Sequence, residues 1–200
     1  MASIQIRVPD WLDIICAWPV MWYRRRKFGY PFRRIYLGEG VWTILDQQDY
    51  YRYGSFKWSF MGHRGKIYAV RGIRVGKEKL TILPLHREIM KPPKRRVVDH
   101  KNGDSLDNRR ANLRLATRAQ NSYNCRKRKN TTSKYIGVSF DKPTKDWEVQ
   151  IKHKGKHHWI GRFKSEVEAA KAHDKAAKKY HGEFARLNFP EPQISQITQK

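Results

Sequence analysis

The hydrophobic positions between residues 147 and 153 alternate with polar ones. Trp147, Val149 and Ile151 fall on one side, and Glu148, Gln150 and Lys152 fall on the other. Strict alternation is typical of a strand with one buried face. Strand candidates at 135–140 and 157–163 flank this segment, with a turn around Gly155 before the last of them. The pattern therefore predicts a three-stranded antiparallel meander.

The spacing changes from two residues to that of a helix after Ser165. Ser165 and Glu168 have the spacing of a capping box, and Gly182 is a typical helix terminator. Between them, small and aromatic residues recur three and four positions apart, which predicts a helix whose alanine face lies close on the sheet. These recurring positions are Ala169, Ala170, His173, Asp174, Ala176, Ala177 and Tyr180.

Residues 35–128 show a weaker pattern of short elements. Strand candidates at 41–45, 58–60 and 67–70 are separated by glycines, and a helical turn at 85–90 ends before two prolines. A brief apolar run at 97–98 ends at Asp99 and His100, and a polar loop follows. After the loop we expect a strand at 113–117, a basic helix at 118–128 and a linker without apolar residues.

The segment 11–23 is apolar and is followed by four consecutive basic residues. Its 13 residues are too few to span a bilayer, which takes about 20. An interfacial membrane helix remains open, and a helix docked on the protein or lying on DNA phosphates is favoured over it.

Charge narrows the choice of partner. The chain carries 43 Lys and Arg against 18 Asp and Glu, a net charge of +25, and the excess is spread over the whole sequence. Such an excess favours nucleic acid as the partner, with an anionic membrane surface as the second candidate. Aromatic residues at 12% argue against wholesale disorder, and two cysteines are too few for a zinc ribbon.

Asp99 and His100 are followed after 12 residues by Asn112 and after nine more by Asn121. This set resembles the HNH endonucleases, in the subgroup common in phage and mobile-element (homing) nucleases. The sequence Leu-His-Arg upstream, at 85–87, and Asn108 fit the same pattern. The alternative for Asp99 and His100 alone is a structural turn in which the aspartate caps the loop.

The resemblance implies a ββα-metal fold and a role for each of the four residues. His100 would be the general base, Asp99 and Asn121 would bind the metal, and Asn112 would tie the loop and orient the base. Because oxygen ligands suit hard cations, we expect Mg²⁺ or Mn²⁺. We also expect three basic residues in and after the loop to contact DNA: Arg109, Arg110 and Arg126.

Residues 132–190 resemble a second family, the Apetala/ethylene-response-factor type DNA-binding domain. The matching residues are Tyr135, Gly137, Val138, Trp147, Ile151, Trp159, Gly161, Phe163, Glu166, Ala169, Ala170, Asp174, Gly182, Ala185, Asn188 and Phe189. The resemblance implies a sheet that lies in the major groove of DNA and reads bases with its outer face. The side chains expected at DNA are Gln150, Lys152, His157, Trp159 and His173. For Trp159, a core position is an equal alternative. The family's guanine-reading arginines are replaced here by Ile136, Ser139 and His157, so the plant target sequence does not carry over.

We therefore expect an α+β protein: a β-rich N-terminal region leading into a ββα-metal nuclease core, and then a three-stranded antiparallel sheet packed on one helix. The predicted layout is a basic aromatic leader (1–34), a nuclease domain (35–128), a linker (129–133), a DNA-binding domain (134–190) and a frayed tail (191–200).

The expected function is that of a metal-dependent DNA endonuclease, prokaryotic or phage-encoded and cytoplasmic. It would act on double-stranded DNA as a monomer or homodimer, with no small-molecule cofactor and no membrane partner. The alternatives are a DNA-binding transcriptional regulator with an inactive nuclease core and a basic structural RNA-binding protein.

Overall fold

The computed structural model describes residues 10–63, 65–75, 79–125, 127 and 131–190. Contacts between Cα atoms divide the chain into two units, and the division cuts through the polar loop after His100. The first unit comprises Met1–Leu85 and Ser105–Arg110, and the second comprises His86–Asp104 and Ala111–Lys200. The predicted domain boundaries at 35–128 and 134–190 differ from this division and stay predictions.

The first unit is built from one long helix, two small sheets and one short helix. Its elements are α1 (Asp10–Phe28), β1 (Arg33–Gly38), β2 (Val41–Leu45), α2 (Gln47–Tyr53), β3 (Ser59–His63), β4 (Lys66–Val75) and β5 (Lys79–Pro84). β1 and β2 pair as an antiparallel hairpin, and β3, β4 and β5 form an antiparallel sheet in that order. The predicted leader is thus largely helical, and α1 continues through Pro19.

The middle of the polar loop is buried within this first unit. Asn108 is 1% exposed, and its side-chain amide donates to the Thr43 hydroxyl at 2.7 Å. The backbone N–H groups of Ile44 and Asn108 donate to the carbonyls of Leu106 and Ile44, forming a parallel bridge with β2. Because each of these buried polar groups has a partner, a loop of polar composition is stable inside the fold.

The second unit holds a β-hairpin with a helix and then a larger sheet with a helix. The elements are α3 (Leu85–Met90, whose first residue belongs to the first unit), β6 (Val97–His100), β7 (Leu113–Ala116), α4 (Arg118–Tyr123), β8 (Val138–Asp141), β9 (Asp146–His153), β10 (Lys156–Phe163), α5 (Glu166–His181) and a 3₁₀ turn (Gly182–Phe184). β6 pairs with β7, and β9 lies between β8 and β10, all antiparallel. The predicted α+β class and the three-stranded sheet followed by a helix are confirmed.

The alanine face of α5 covers the inner face of this sheet. Val149 and Ala170 are fully buried in one cluster, and Ala177 is fully buried in a second one beside Ile151. His173 packs over Gly137, where an added Cβ would lie 2.0 Å from its Cδ2 atom. Gly137 also has a φ of +71°, so both backbone conformation and space require glycine there.

Three local predictions are wrong. β8 begins at Val138 rather than at 135, because Gly137 adopts the left-handed conformation just before it. Helix α4 ends at Tyr123 rather than at 128, because the next side chain, Asn124, bonds to β6 instead. Ser165 begins α5 without a side-chain cap, and the capping box occurs at α4, where Thr117 and Gln120 bond reciprocally.

Among the described residues, no helix has the length and apolar character of a membrane span.

Candidate functional site

Asp99 and His100 are the last two residues of β6, and both are buried. Asp99 is 3% exposed and His100 is 6% exposed. In the antiparallel register Asp99 lies opposite Arg114 and His100 lies opposite Leu113. Because successive side chains of a strand point to opposite faces, the two are held by different neighbours.

The carboxylate of Asp99 is held from both of its oxygens. Arg114 donates to Oδ2 from Nε at 2.8 Å and from Nη2 at 2.7 Å. Asn124 donates from Nδ2 to Oδ1 at 3.1 Å, and also to the carbonyl of His100 at 2.8 Å. Arg114 and Asn124 therefore fix the carboxylate beside the candidate base.

Asn124 was missed by sequence reasoning, which selected Asn121 from the resemblance. Asn121 lies half-buried within α4, and its backbone N–H bonds to Thr117. Asn124 comes three residues later and is 5% exposed. Its position directly after a short helix, where asparagine is a common terminator, was the available signal.

Asn112 closes the loop that leaves the site. Its side-chain Oδ1 accepts from the backbone N–H of Asn102 at 3.0 Å, and its carbonyl accepts from the N–H of Lys101 at 2.9 Å. The side chain of Asn112 therefore stabilises the loop next to His100.

The neighbour of His100 is a second histidine, His86 of α3. The two ring centroids are 5.2 Å apart and the rings meet edge to face. Burial lowers the pKa of His86 to about 3, with smaller contributions from His100 and Arg87. His86 is therefore uncharged at neutral pH.

The donor chemistry around Asp99 fits a hard cation. Arg114 donates to Oδ2, while Oδ1 accepts from Nδ2 of Asn124, and carboxylate oxygens are hard ligands. Among the residues that the structure describes, no group of three or more His, Cys, Asp or Glu side chains is arranged to hold a metal ion. Asp99 is the carboxylate of this segment that could hold a metal, and a carboxylate is a ligand that suits a hard cation.

Two of the three basic residues expected at DNA are part of the fold of the first unit. Arg109 donates to Asp107 at 2.6 Å, and its guanidinium lies 3.3 Å from the ring centroid of Tyr30. Arg110 donates to the buried Asp49 at 2.7 and 2.8 Å. Carboxylates hold both side chains, and the contact of Arg109 and Arg110 with DNA stays a prediction. Arg126 lies outside the described residues.

Four of the five side chains expected at DNA form one exposed patch on the sheet. Gln150 lies opposite Trp159 and Lys152 lies opposite His157 in adjacent strands. All four are exposed, and Trp159 is 52% exposed, which excludes the core alternative for it. We call these four residues the sheet patch.

The fifth residue, His173, is buried rather than exposed with the other four. It is 5% exposed, and its Nδ1 lies 3.4 Å from an oxygen of Asp174. Asp174 in turn accepts from the backbone of Asn188 and Phe189. The ring packs between α5 and the sheet, and its contact with DNA stays a prediction. Burial lowers its pKa, partly offset by Asp174.

Comparison with known proteins supports both resemblances. One family model, an HNH endonuclease, matches residues 91–123, and another, the AP2 domain, matches residues 133–183. No solved structure matches the chain.

Three relatives match different lengths of the chain. An uncharacterized HNH endonuclease of Acanthamoeba polyphaga mimivirus is 31% identical over 157 residues, which is 76% of each chain. Protein 3.8 of Escherichia phage T7 is 33% identical over 95 residues, 48% of this chain and 78% of its own. Dehydration-responsive element-binding protein 2A of Arabidopsis thaliana is 43% identical over 51 residues, 26% of this chain, and the chain spans only 15% of that protein.

The two family matches indicate an HNH endonuclease domain combined with an AP2 domain. The chain belongs to the HNH endonuclease family, and it carries an AP2 domain.

Proposed function

We propose that this protein is a metal-dependent endonuclease that hydrolyses phosphodiester bonds of double-stranded DNA, with His100 as general base. The observation that carries the proposal is the arrangement at the end of β6. Asp99 and His100 are both buried, Asn124 bonds to the carboxylate of Asp99 and to the carbonyl of His100, and Asn112 closes the loop. The segment that holds all four lies within or beside the HNH match.

The chemistry requires a base for the attacking water. An unprotonated ring nitrogen of His100 accepts a proton from water, the water oxygen bonds to phosphorus, and the P–O bond to one sugar breaks. A histidine suits this role because imidazole exchanges protons near neutral pH. His86 stays neutral beside it and therefore adds no positive charge that would oppose the protonation of His100.

When bound, a divalent cation would neutralise the charge that develops on the phosphate and the leaving oxygen. Asp99 would hold it through a carboxylate oxygen and, as the resemblance implies, Asn121 would hold it through its amide oxygen. We propose Mg²⁺ or Mn²⁺ because the donors are oxygen atoms.

The sheet patch would provide targeting. A three-stranded sheet fits the major groove, and Gln150 has the amide geometry that pairs with adenine. Lys152 and His157 add polar contacts on the same exposed face.

A DNA-binding regulator with an inactive nuclease core is the second candidate. The ion pair between Arg114 and Asp99 favours the regulator, because Arg114 already neutralises the carboxylate that a cation would use. It predicts binding without cutting.

A plasmid nicking assay separates the two candidates. The full chain is incubated with supercoiled plasmid in Mg²⁺, in Mn²⁺ and in excess chelator, beside Asp99→Ala and the exposed loop control Asp104→Ala. The endonuclease proposal expects nicking by the parent and the control in either metal, and none by Asp99→Ala or in chelator. Binding without nicking under every metal condition would refute it and favour the regulator.

A further inference from the structure

The last residue of α4, Tyr123, joins the hairpin-and-helix segment to the DNA-binding sheet. Its ring is stacked on His181, with centroids 3.8 Å apart and an interplanar angle of 3°. It also lies 5.9 Å from the ring of His153. The Tyr123 hydroxyl accepts from the backbone N–H of Lys154 at 3.2 Å, in the turn between β9 and β10.

The ring of His181 is itself fixed in place. Its Nε2 lies 2.9 Å from the carbonyl of Lys152, so this nitrogen is the one that carries the hydrogen. Burial lowers the pKa of His181, with His153 and His173 contributing in the same direction and the Lys152 carbonyl opposing them. The bond to Lys152 therefore fixes the ring on which Tyr123 stacks.

A second contact lies on β7. Arg114, which holds Asp99, also donates to the carbonyl of Glu183, and its guanidinium lies 4.1 Å from the ring centroid of Phe184. One arginine thus joins the carboxylate beside His100 to the turn that ends α5. Because there are two separate contacts, one from Arg114 of β7 and one from Tyr123 of α4, the two parts cannot rotate about either contact alone.

Both parts line one cleft of about 960 Å³. Ala119, Ser122 and Tyr123 of α4 face it from one side. Three members of the sheet patch, Gln150, Lys152 and His157, face it from the other. A DNA strand in this cleft would touch α4 and the sheet at once.

We infer that Tyr123 is a positioning residue that sets where the DNA is cut relative to the sequence bound by the sheet. The side-chain contacts of Tyr123 and Arg114 hold the sheet in place relative to His100. The distance between the sheet and His100 therefore does not depend on the length of the chain segment around 126–130. Cleavage should therefore fall a fixed number of nucleotides from the bound sequence. This inference rests on the proposed function.

The test starts from DNA selected by the full chain from a random duplex library in chelator. One selected duplex, end-labelled, is cut in Mg²⁺, and the products are mapped to single nucleotides. We expect the parent and Tyr123→Phe to cut at one dominant position. Tyr123→Ala should scatter its cuts over several positions, with the dominant product reduced at least tenfold and affinity changed less than twofold. Tyr51→Ala, an exposed tyrosine of α2, serves as the control and should cut like the parent.

An insertion separates docking from tethering. Four Gly and Ser residues inserted after Asn130 should leave the cut position unchanged in the parent background and should scatter it further in Tyr123→Ala. A cut position that moves with the insertion, or that survives Tyr123→Ala, would overturn the inference while leaving the endonuclease proposal intact.

Hydroxyl-radical footprints in chelator test the positioning without cleavage. The parent should protect the sheet's site and a flank at a fixed offset, and Tyr123→Ala should protect the site alone. A footprint that is the same in both would overturn the inference even if no variant cuts. Absence of cutting together with loss of the flank would refute only the endonuclease proposal.

Discussion

Replacing Arg114 by methionine should strongly destabilise the protein. The substitution keeps an unbranched side chain but removes both bonds that Arg114 donates to Asp99, whose side chain is 4% exposed and keeps its bonds from Asn124. Removing one partner of a buried ion pair costs about 3–5 kcal/mol, because the other charge stays buried without compensation. Loss of the contact with the Phe184 ring adds about 0.5–1 kcal/mol. We expect a loss of about 4 kcal/mol at pH 7.

Urea unfolding followed by circular dichroism measures this loss. With a slope of about 2 kcal/mol per molar urea, the midpoint should fall by about 2 M. Arg162→Met is the matched control, because Arg162 also donates to a carboxylate at 2.8 Å but its side chain is 47% exposed. We expect its midpoint to stay close to that of the parent.

A double variant identifies the cause. Adding Asp99→Asn to Arg114→Met removes the uncompensated charge and should recover about 2 kcal/mol. If Arg114→Met costs less than about 1 kcal/mol, or if the double variant recovers nothing, the account of Asp99 as a buried, arginine-held carboxylate is wrong.

Three further predictions follow from single positions. Folding lowers the pKa of His86 from about 6.5 to about 3, so the free energy of unfolding is highest above pH 6.5 and should fall by about 2 kcal/mol between pH 7 and pH 5. Urea titrations should show that this loss vanishes in His86→Gln and persists in the exposed control His63→Gln. Gly137→Ala should cost at least about 2 kcal/mol more than Gly155→Ala, since both have positive φ but only the former meets a buried ring; equal costs would contradict the packing. If Lys152 contacts a phosphate, Lys152→Ala should lower the log–log salt slope of DNA binding by about one; an unchanged slope with altered sequence preference would instead make it a base contact.

The sheet and α5 were predictable because their pattern is local. Alternation from Trp147 to Ile151 marks a strand in any context, and the alanines of α5 mark the face that must lie close to a sheet. Asp99 and His100 could be selected because the spacing to the asparagines is a family pattern. None of these inferences requires knowing which distant segments meet.

The residues that contact the site could not be predicted, because their contacts depend on which distant segments meet in the fold. Arg114 alternates with two leucines in β7 and resembles an outward-facing basic residue until the register places it opposite Asp99. The sequence does not link Arg110 to its carboxylate partner, Asp49, because the two lie 61 residues apart. For Arg109 a local signal for the ion pair was present, because its partner Asp107 lies two residues before it. The high net positive charge of the chain favoured a DNA contact over this ion pair.

The central claim is that His100 removes a proton from the attacking water. The most direct measurement is the single-turnover rate of DNA nicking in Mg²⁺ by the parent, His100→Ala and the exposed control His63→Ala, with DNA affinity measured on the same preparations. The account predicts a rate at least ~10²-fold lower for His100→Ala, a control within twofold of the parent, and equal affinities for all three. A His100→Ala protein that nicks as fast as the parent, with the same requirement for metal, would contradict it.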